Sequence, residues 1–160
     1  MVTVADLRVD HLAIALQHAR PEMWPVPARF TPERRWFCRV AGPDGSREGG
    51  DGFEVWLLTW LPGQHTELHD HGGSAGAFTV VTGSLTEETV DADGRLHGVE
   101  LHAGAGRRFG AHHVHRIRNN GDVPAISVHV YGPALRIMTR YDLEGGMLVP
   151  TGVDRAGVQW

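Results

Sequence analysis

Short strand-like segments recur about every eight to twelve residues from residue 34 onward, and turn-forming residues separate them. The 21 Gly and 9 Pro of the chain supply the tight turns that this spacing needs. No alternation of strands with helices accompanies them, which argues against a parallel α/β sheet. The pattern predicts an antiparallel sandwich or barrel, and 160 residues suffice for one such domain.

The N-terminal part of the chain departs from this pattern. Apolar residues at helical spacing predict a helix over residues 3 to 19 that begins near Thr3 and ends before Pro21. Further prolines follow up to residue 32 and exclude regular structure there. We therefore expect one domain over residues 1–160, made of a helix and Pro-rich lead-in (1–33), a barrel (34–146) and a C-terminal tail of little pattern (147–160).

Charge and cysteine content exclude several classes of protein. With 15 Lys and Arg against 19 Asp and Glu, the formal net charge is −4, which disfavours nucleic acid as a main partner. No apolar run reaches the length of about 18 residues that indicates a membrane span, and no signal peptide is visible. Cys38 is the single cysteine, so no internal disulfide can form. We expect a cytoplasmic protein that is a monomer or a weak homo-oligomer.

Two histidines spaced two residues apart, His69 and His71, follow a strongly apolar strand. Side chains alternate along a strand, so both imidazoles would share one face and form half of a metal site. The chain has 11 His, so such a pair alone is weak evidence. His115, in a later strand, is the third imidazole that a closed barrel would bring to the same interior. His113 shares the face of His115 and remains an alternative ligand.

The strand predicted over residues 125–131 has two chemically different faces. The valines Val128 and Val130 occupy the apolar face, and the opposite face is polar (Ser127, His129 and Tyr131). The polar face either meets solvent or lines a polar cavity, where each buried group needs a hydrogen-bond partner.

Taken together, these segments resemble the two sequence motifs of the cupins. The first is Gly63-x5-His69-x-His71-x11-Gly83, and the second is Gly104-x5-Gly110-x-His112-x2-His115-x3-Asn119. Most cupins also carry a glutamate four or five residues after the second histidine. Ala75 and Gly76 stand at those positions here, so a four-ligand site with a glutamate is disfavoured.

A three-histidine site without a carboxylate is similar to the thiol dioxygenase branch of the cupins, the cysteine dioxygenases. The resemblance covers about residues 34–146 and implies an all-β cupin fold, a double-stranded β-helix with a short N-terminal helical segment. It implies Fe(2+) bound by three ligands (His69, His71 and His115). It also implies that Arg39 binds the substrate carboxylate, and Arg35, on the same face of its strand, is the alternative.

The resemblance implies conversion of L-cysteine and O₂ to cysteine sulfinic acid, as in cysteine catabolism. The substrate thiolate and amine would bind the iron. Tyr131 would donate a hydrogen bond to the substrate, with His129 holding its hydroxyl and Ser127 behind that ring. Two positions depart from the mammalian pattern. Gly76 stands where a cysteine is cross-linked to the tyrosine, and Phe37 stands where a tyrosine is found.

Two other functions stay open at this point. One is the same reaction on another small thiol such as 3-mercaptopropionate, although relatives that act on that substrate have Gln at the position of Arg39. The other is a metal-binding cupin without oxidation, such as a ligand sensor or an isomerase. The combined Arg, Ser, His and Tyr set argues against the second, because a simple binder needs no such network.

Overall fold

A computed structural model describes residues 9–42 and 52–156. One helix, α1 (His11–His18), precedes a series of antiparallel strands. In chain order the strands are β1 (Phe37–Ala41), β2 (Glu54–Trp60), β3 (Leu68–His69), β4 (Ala75–Thr82), β5 (Ser84–Val90), β6 (Leu96–His102), β7 (Gly106–Phe109), β8 (Arg116–Arg118), β9 (Ala125–Gly132), β10 (Ile137–Glu144) and β11 (Met147–Arg155).

The strands form two layers. One layer is a five-stranded sheet in the order β1-β2-β9-β4-β7. The other combines two three-stranded sheets, β11-β10-β3 and β6-β5-β8. Backbone bridges between His69 and His115 and between His65 and Arg118 connect these two sheets. The all-β cupin fold, a double-stranded β-helix with a short N-terminal helix, is therefore confirmed.

Both faces of the five-stranded sheet are buried, because its strands carry apolar side chains on each face. Trp60, Phe78 and Tyr131 belong to a buried cluster that also includes residues of β5, β6 and β8, so this cluster lies between the layers. Val128 and Val130 belong to a second cluster that includes Ala15 of α1. The helix thus covers the outer face, and the polar residues of β9 lie on the inner one.

The predicted N-terminal helix is present but shorter than expected. It begins after Asp10, whose side chain accepts a hydrogen bond from the backbone N–H of Ala13 at 3.2 Å. The predicted start near Thr3 lies outside the described residues. A short 3₁₀ turn, Pro21–Met23, interrupts the lead-in where we expected no regular structure. Among the described residues, no helix is long and apolar enough to cross a membrane.

The C-terminal segment, residues 147–160, shows little pattern in the sequence, but most of its described part is a strand. Residues 147–155 form β11, which pairs with β10 after a turn at Gly145 and Gly146, both of positive φ. This strand is not predicted from the sequence because it contains Pro150, and proline is uncommon within strands. The proline is tolerated because β11 is an edge strand and the pairing register shifts opposite it, at Arg140 and Tyr141. The strand expected over residues 113–118 shortens to β8, and most of the turn expected over residues 42–52 lies outside the described residues.

Candidate metal centre

Three histidines converge where the two halves of the second layer meet. His69 ends β3, and its backbone exchanges two hydrogen bonds with that of His115, at 3.0 and 3.1 Å. His71 follows two residues later. The ring centroids of His69 and His71 are 5.0 Å apart, and each lies 4.9 Å from that of His115. One ligand atom from each ring lies within 4.8 Å of the others, which is the spacing that a single metal ion requires.

Hydrogen bonds orient two of these rings. Nδ1 of His69 donates to the backbone oxygen of Glu67 at 2.8 Å, and Nδ1 of His115 donates to the Glu87 carboxylate at 2.8 Å. A neutral imidazole carries one proton, so each ring keeps an unprotonated Nε2. This is the arrangement in which a partner on one nitrogen fixes the other as a metal ligand.

His71 is the unpartnered member of the cluster. Its ring stacks on Phe109 with centroids 4.6 Å apart, and Tyr131 lies at 5.3 Å. Both ring nitrogens are buried, and neither has a hydrogen-bond partner among the described residues. Buried polar atoms almost always have a partner. A metal ion coordinated by the three rings would provide one, so the residues present fit such an ion.

The cluster is electrically neutral near pH 7. Burial, reinforced by the nearby His115, lowers the pKa of His69 to about 3. Burial also lowers the pKa values of His71 and His115. Neutral imidazole is the form that binds metal, so the three rings are ready to coordinate without releasing protons.

Glu87 is a functional candidate that sequence analysis missed. Its side chain is 2% exposed and accepts hydrogen bonds from His113 at 2.9 Å, from His115 at 2.8 Å and from Arg107 at 2.9 Å. Burial alone would raise the pKa of this carboxyl, but the histidine and arginine hydrogen bonds outweigh burial and hold the pKa well below its usual range. The available signal was its position on β5, where it shares the buried face of Leu85.

The same contacts bear on the alternative ligand His113. Its Nε2 bonds to Glu87, so the ring supports that carboxylate. Glu87, His113 and His115 also lie within ligand distance of one another. The ligand atoms of this second group already bond to one another, since both histidines contact the Glu87 carboxylate. Arg107 neutralises the charge of that carboxylate. The structure therefore favours His115 over His113 as the third member of the histidine cluster.

A cavity of about 440 Å³ opens beside the cluster. Its walls include His69 and His115 on one side and His129 and Tyr131 of β9 on another. The remaining lining is mainly aromatic and aliphatic, with a charged rim (Glu67, Arg140 and Asp154). A small polar molecule in this cavity would contact the neutral imidazoles and the tyrosine together.

Arg35 and Arg39 occupy different environments. Arg35 lines the cavity, and its guanidinium carbon lies 4.9 Å from the centroid of the Trp60 ring. Among the described residues, no carboxylate forms an ion pair with Arg35. Arg39 is exposed and does not line the cavity. It lies at a register shift near the end of β1, with its stem beside Gly42. The structure thus does not bring Arg39 into the site and places the alternative, Arg35, there.

The polar face of β9 forms one hydrogen-bonded row. Ser127 Oγ lies 2.8 Å from Nε2 of His129, and the Tyr131 hydroxyl lies 3.4 Å from Nδ1 of the same ring. All three side chains are buried. The indole N–H of Trp60 donates to Ser127 Oγ at 2.8 Å, a contact that sequence analysis did not anticipate.

Gly76 stands at a position that admits no side chain. A Cβ there would collide with the backbone oxygen of Val130 and lie 2.7 Å from Cζ of Phe109. Neither a metal-binding glutamate nor a cysteine fits at residue 76 without moving the neighbouring strand or the ring beneath His71. Tyr131 therefore has no cross-linking partner at this position.

Comparisons with known proteins agree with this architecture. A family model described as cysteine dioxygenase type I matches residues 3–144. Among solved structures, TT1209 from Thermus thermophilus superposes with a TM-score of 0.53 and 23% identity, covering 67% of this chain and 90% of that one. A Klebsiella pneumoniae protein with a double-stranded β-helix domain gives a TM-score of 0.55 and 18% identity, covering 82% and 92%. A search of curated proteins found no match.

Proposed function

Because the chain belongs to the cysteine dioxygenase type I family, we propose that it oxidises the thiol of L-cysteine to cysteine sulfinic acid with O₂. The family and the three-histidine cluster support a metal-dependent thiol dioxygenase of the cupin superfamily. One observation supports a small thiol that also carries a carboxylate. The cavity lined by His69 and His115 of the histidine cluster is also lined by Arg35, which has no carboxylate partner among the described residues.

The resident metal in this proposal is Fe(2+), held by His69, His71 and His115. Bound iron would lower the pKa of the substrate thiol and supply the redox chemistry that the reaction with O₂ needs. Three neutral ligands leave the full metal charge uncompensated and several coordination positions open. That combination suits a substrate that brings an anionic sulfur of its own.

Arg35 binds the substrate carboxylate in this proposal, in place of Arg39. A guanidinium can hold a carboxylate through two parallel hydrogen bonds, which fixes the orientation of a small amino acid. The Trp60 ring, 4.9 Å from the guanidinium carbon, supports the arginine from one side. The carboxylate would then neutralise a half-buried cation whose own pKa is lowered by burial.

Tyr131 donates a hydrogen bond to the bound substrate. Burial raises the pKa of its phenol, and the negative charge of Glu54 raises it further, so the hydroxyl stays protonated at neutral pH. Arg35 and Tyr131 both line the cavity, and in this proposal they orient one carboxylate together. Both atoms of O₂ are added to sulfur, and the reaction needs no further reductant.

A direct assay tests this function. We would load the full-length protein with Fe(2+) anaerobically, add O₂, and follow O₂ uptake and sulfinate by mass spectrometry with L-cysteine and with 3-mercaptopropionate. Sulfinate formed at one mole per mole of O₂, with L-cysteine the better substrate, is expected. Preference for 3-mercaptopropionate would keep the reaction but overturn the substrate. Metal binding without turnover of either thiol would indicate a non-oxidising cupin.

The proposal includes a cellular setting. A single cysteine residue suits a reducing compartment such as the cytoplasm. We propose that the enzyme works there on free L-cysteine as a monomer or weak homo-oligomer. Sedimentation of the purified protein at micromolar concentration would test the oligomeric state.

A further inference from the structure

Trp60 is the last residue of β2 and its side chain is completely buried. Its indole N–H donates to Ser127 Oγ at 2.8 Å, across the pairing of β2 with β9. An indole nitrogen is a donor only, so the direction of this hydrogen bond is fixed. Trp60 therefore stands at one end of the row formed by Ser127, His129 and Tyr131, and it is the one member whose proton position is certain.

The fixed donor restricts the next hydrogen bond. Ser127 Oγ accepts from Trp60, and its own hydroxyl hydrogen needs an acceptor because the side chain is fully buried. Among the described residues, the acceptor available to it is Nε2 of His129, at 2.8 Å. The reverse arrangement would direct two N–H donors at one oxygen and leave the serine hydrogen buried and unbonded.

The third bond follows from the second. If Nε2 of His129 accepts, the neutral ring carries its proton on Nδ1. That proton points to the Tyr131 hydroxyl oxygen, 3.4 Å away. The tyrosine oxygen then receives a hydrogen bond from within the protein, and its own hydrogen is free to point into the cavity.

We propose that Trp60 is a positioning residue that sets the direction of the whole row, from indole to serine to histidine, and so presents Tyr131 to the cavity as a hydrogen-bond donor. The link to substrate rests on the proposed function. The position of the proton on His129 does not, and it can be measured without substrate.

Trp56 offers a matched control on the same strand. It also lines the cavity, and its indole N–H has no partner among the described residues. Trp56→Phe and Trp60→Phe remove the same atoms from neighbouring walls of one site. A difference between the two variants therefore reports the hydrogen bond to Ser127 and not the loss of an indole in general.

The experiment is long-range ¹H–¹⁵N correlation spectroscopy on the uniformly labelled full chain, metal-free and saturated with diamagnetic Zn²⁺. His129→Gln assigns the His129 signals. We expect the wild-type ring and the Trp56→Phe ring to be protonated at Nδ1. In Trp60→Phe a water molecule in the vacated space can accept the serine hydrogen, so we expect a mixture of the two tautomers. Ser127→Ala removes the same link from the other side and should give a mixture as well.

Two results would overturn the proposal. One is a wild-type His129 protonated at Nε2, a measurement that needs no variant. The other is an unchanged tautomer in Trp60→Phe, whatever the result for Ser127→Ala.

With iron-loaded protein, Trp60→Phe should lower turnover about fivefold, the value of one ordinary hydrogen bond, with metal affinity unchanged. Lack of thiol turnover in the wild type would reject the proposed function while leaving the tautomer result standing.

Discussion

Glu87 accepts a hydrogen bond from Nδ1 of His115 at 2.8 Å, although the two residues are 28 positions apart in the sequence. The carboxylate fixes the proton on the far side of the ring and leaves Nε2 facing the histidine cluster. It also makes the imidazole a stronger ligand, as carboxylate–histidine pairs do at metal sites generally. We therefore expect the affinity of the cluster for a metal ion to depend on a residue that does not belong to the cluster.

Replacing Glu87 by Gln should weaken metal binding by about 10- to 100-fold, because the ring loses its anionic partner. Competition with a chromogenic chelator would measure this with Zn²⁺ and Fe(2+). Glu88→Gln is the control, since Glu88 pairs with Arg116 on the other face of β5. Unchanged metal affinity in a folded Glu87→Gln protein would contradict the role assigned to this carboxylate.

Arg35 and Arg39 give a paired test of substrate binding. Arg35→Gln should raise KM for L-cysteine at least about tenfold, because a charged hydrogen-bonded pair is lost from the cavity. Arg39→Gln should leave KM within about twofold, since that side chain is exposed and outside the cavity lining. The reverse ranking would restore Arg39 as the carboxylate ligand. Steady-state O₂ uptake measures both.

The His71 side chain should lower the stability of the metal-free protein. Its two ring nitrogens are buried without partners among the described residues, so His71→Leu should stabilise the metal-free fold by up to about 1–3 kcal/mol while abolishing metal binding. His129→Leu breaks hydrogen bonds at both of its nitrogens and should destabilise the fold instead. Urea denaturation of the two metal-free variants would measure these opposite changes in the free energy of unfolding. Destabilisation by both changes would argue that His71 has a partner within the protein.

Gly76→Ala should destabilise the barrel by about 1–3 kcal/mol, because its Cβ would meet Val130 and the Phe109 ring. Gly110→Ala is the control, since a Cβ there has no atom within 4 Å and should change stability by less than about 0.5 kcal/mol. Chemical denaturation compares the two. Equal effects would show that strand β4 has room to move away from Phe109.

Stability should fall as the pH falls below about 6.5, in part through His129. Burial, reinforced by the nearby His115, holds the pKa of His129 well below its ordinary value, so between the two values the unfolded chain binds a proton that the folded protein does not. Each such histidine contributes at most about 1.4 kcal/mol per pH unit. Denaturation of the metal-free protein at several pH values should show that the free energy of unfolding changes less steeply with pH in His129→Gln than in the wild type. Equal slopes would contradict this role of His129.

Local sequence patterns predicted a large part of this protein. Turn spacing indicated the all-β class, and alternation placed Ser127, His129 and Tyr131 on one face, while the choice between solvent and a cavity stayed open. The features that escaped prediction depend on contacts between distant parts of the chain. Glu87 reads as one more polar residue of a strand until the fold brings it to His115.

The two arginines show a related limit. Arg35 and Arg39 share a face of the same predicted strand, and the sequence pattern does not say which end of that strand reaches the cavity. The outcome depends on the pairing of β1 with β2 and on the register shift beside Arg39. The edge position that allows Pro150 within β11 is likewise a property of the assembled sheet.

The two faces of strand β9 have different roles, one in packing and one in the proposed chemistry. Its valines pack beneath α1 while Ser127, His129 and Tyr131 face the cavity. Pairing β9 with its neighbours one residue out of register would exchange the two sets, exposing the cavity to aliphatic groups and pressing a serine, an imidazole and a phenol against the helix. A barrel with this register error would lose the packing of α1 and the polar lining of the cavity at the same time. A partly folded form that retains activity should therefore not accumulate.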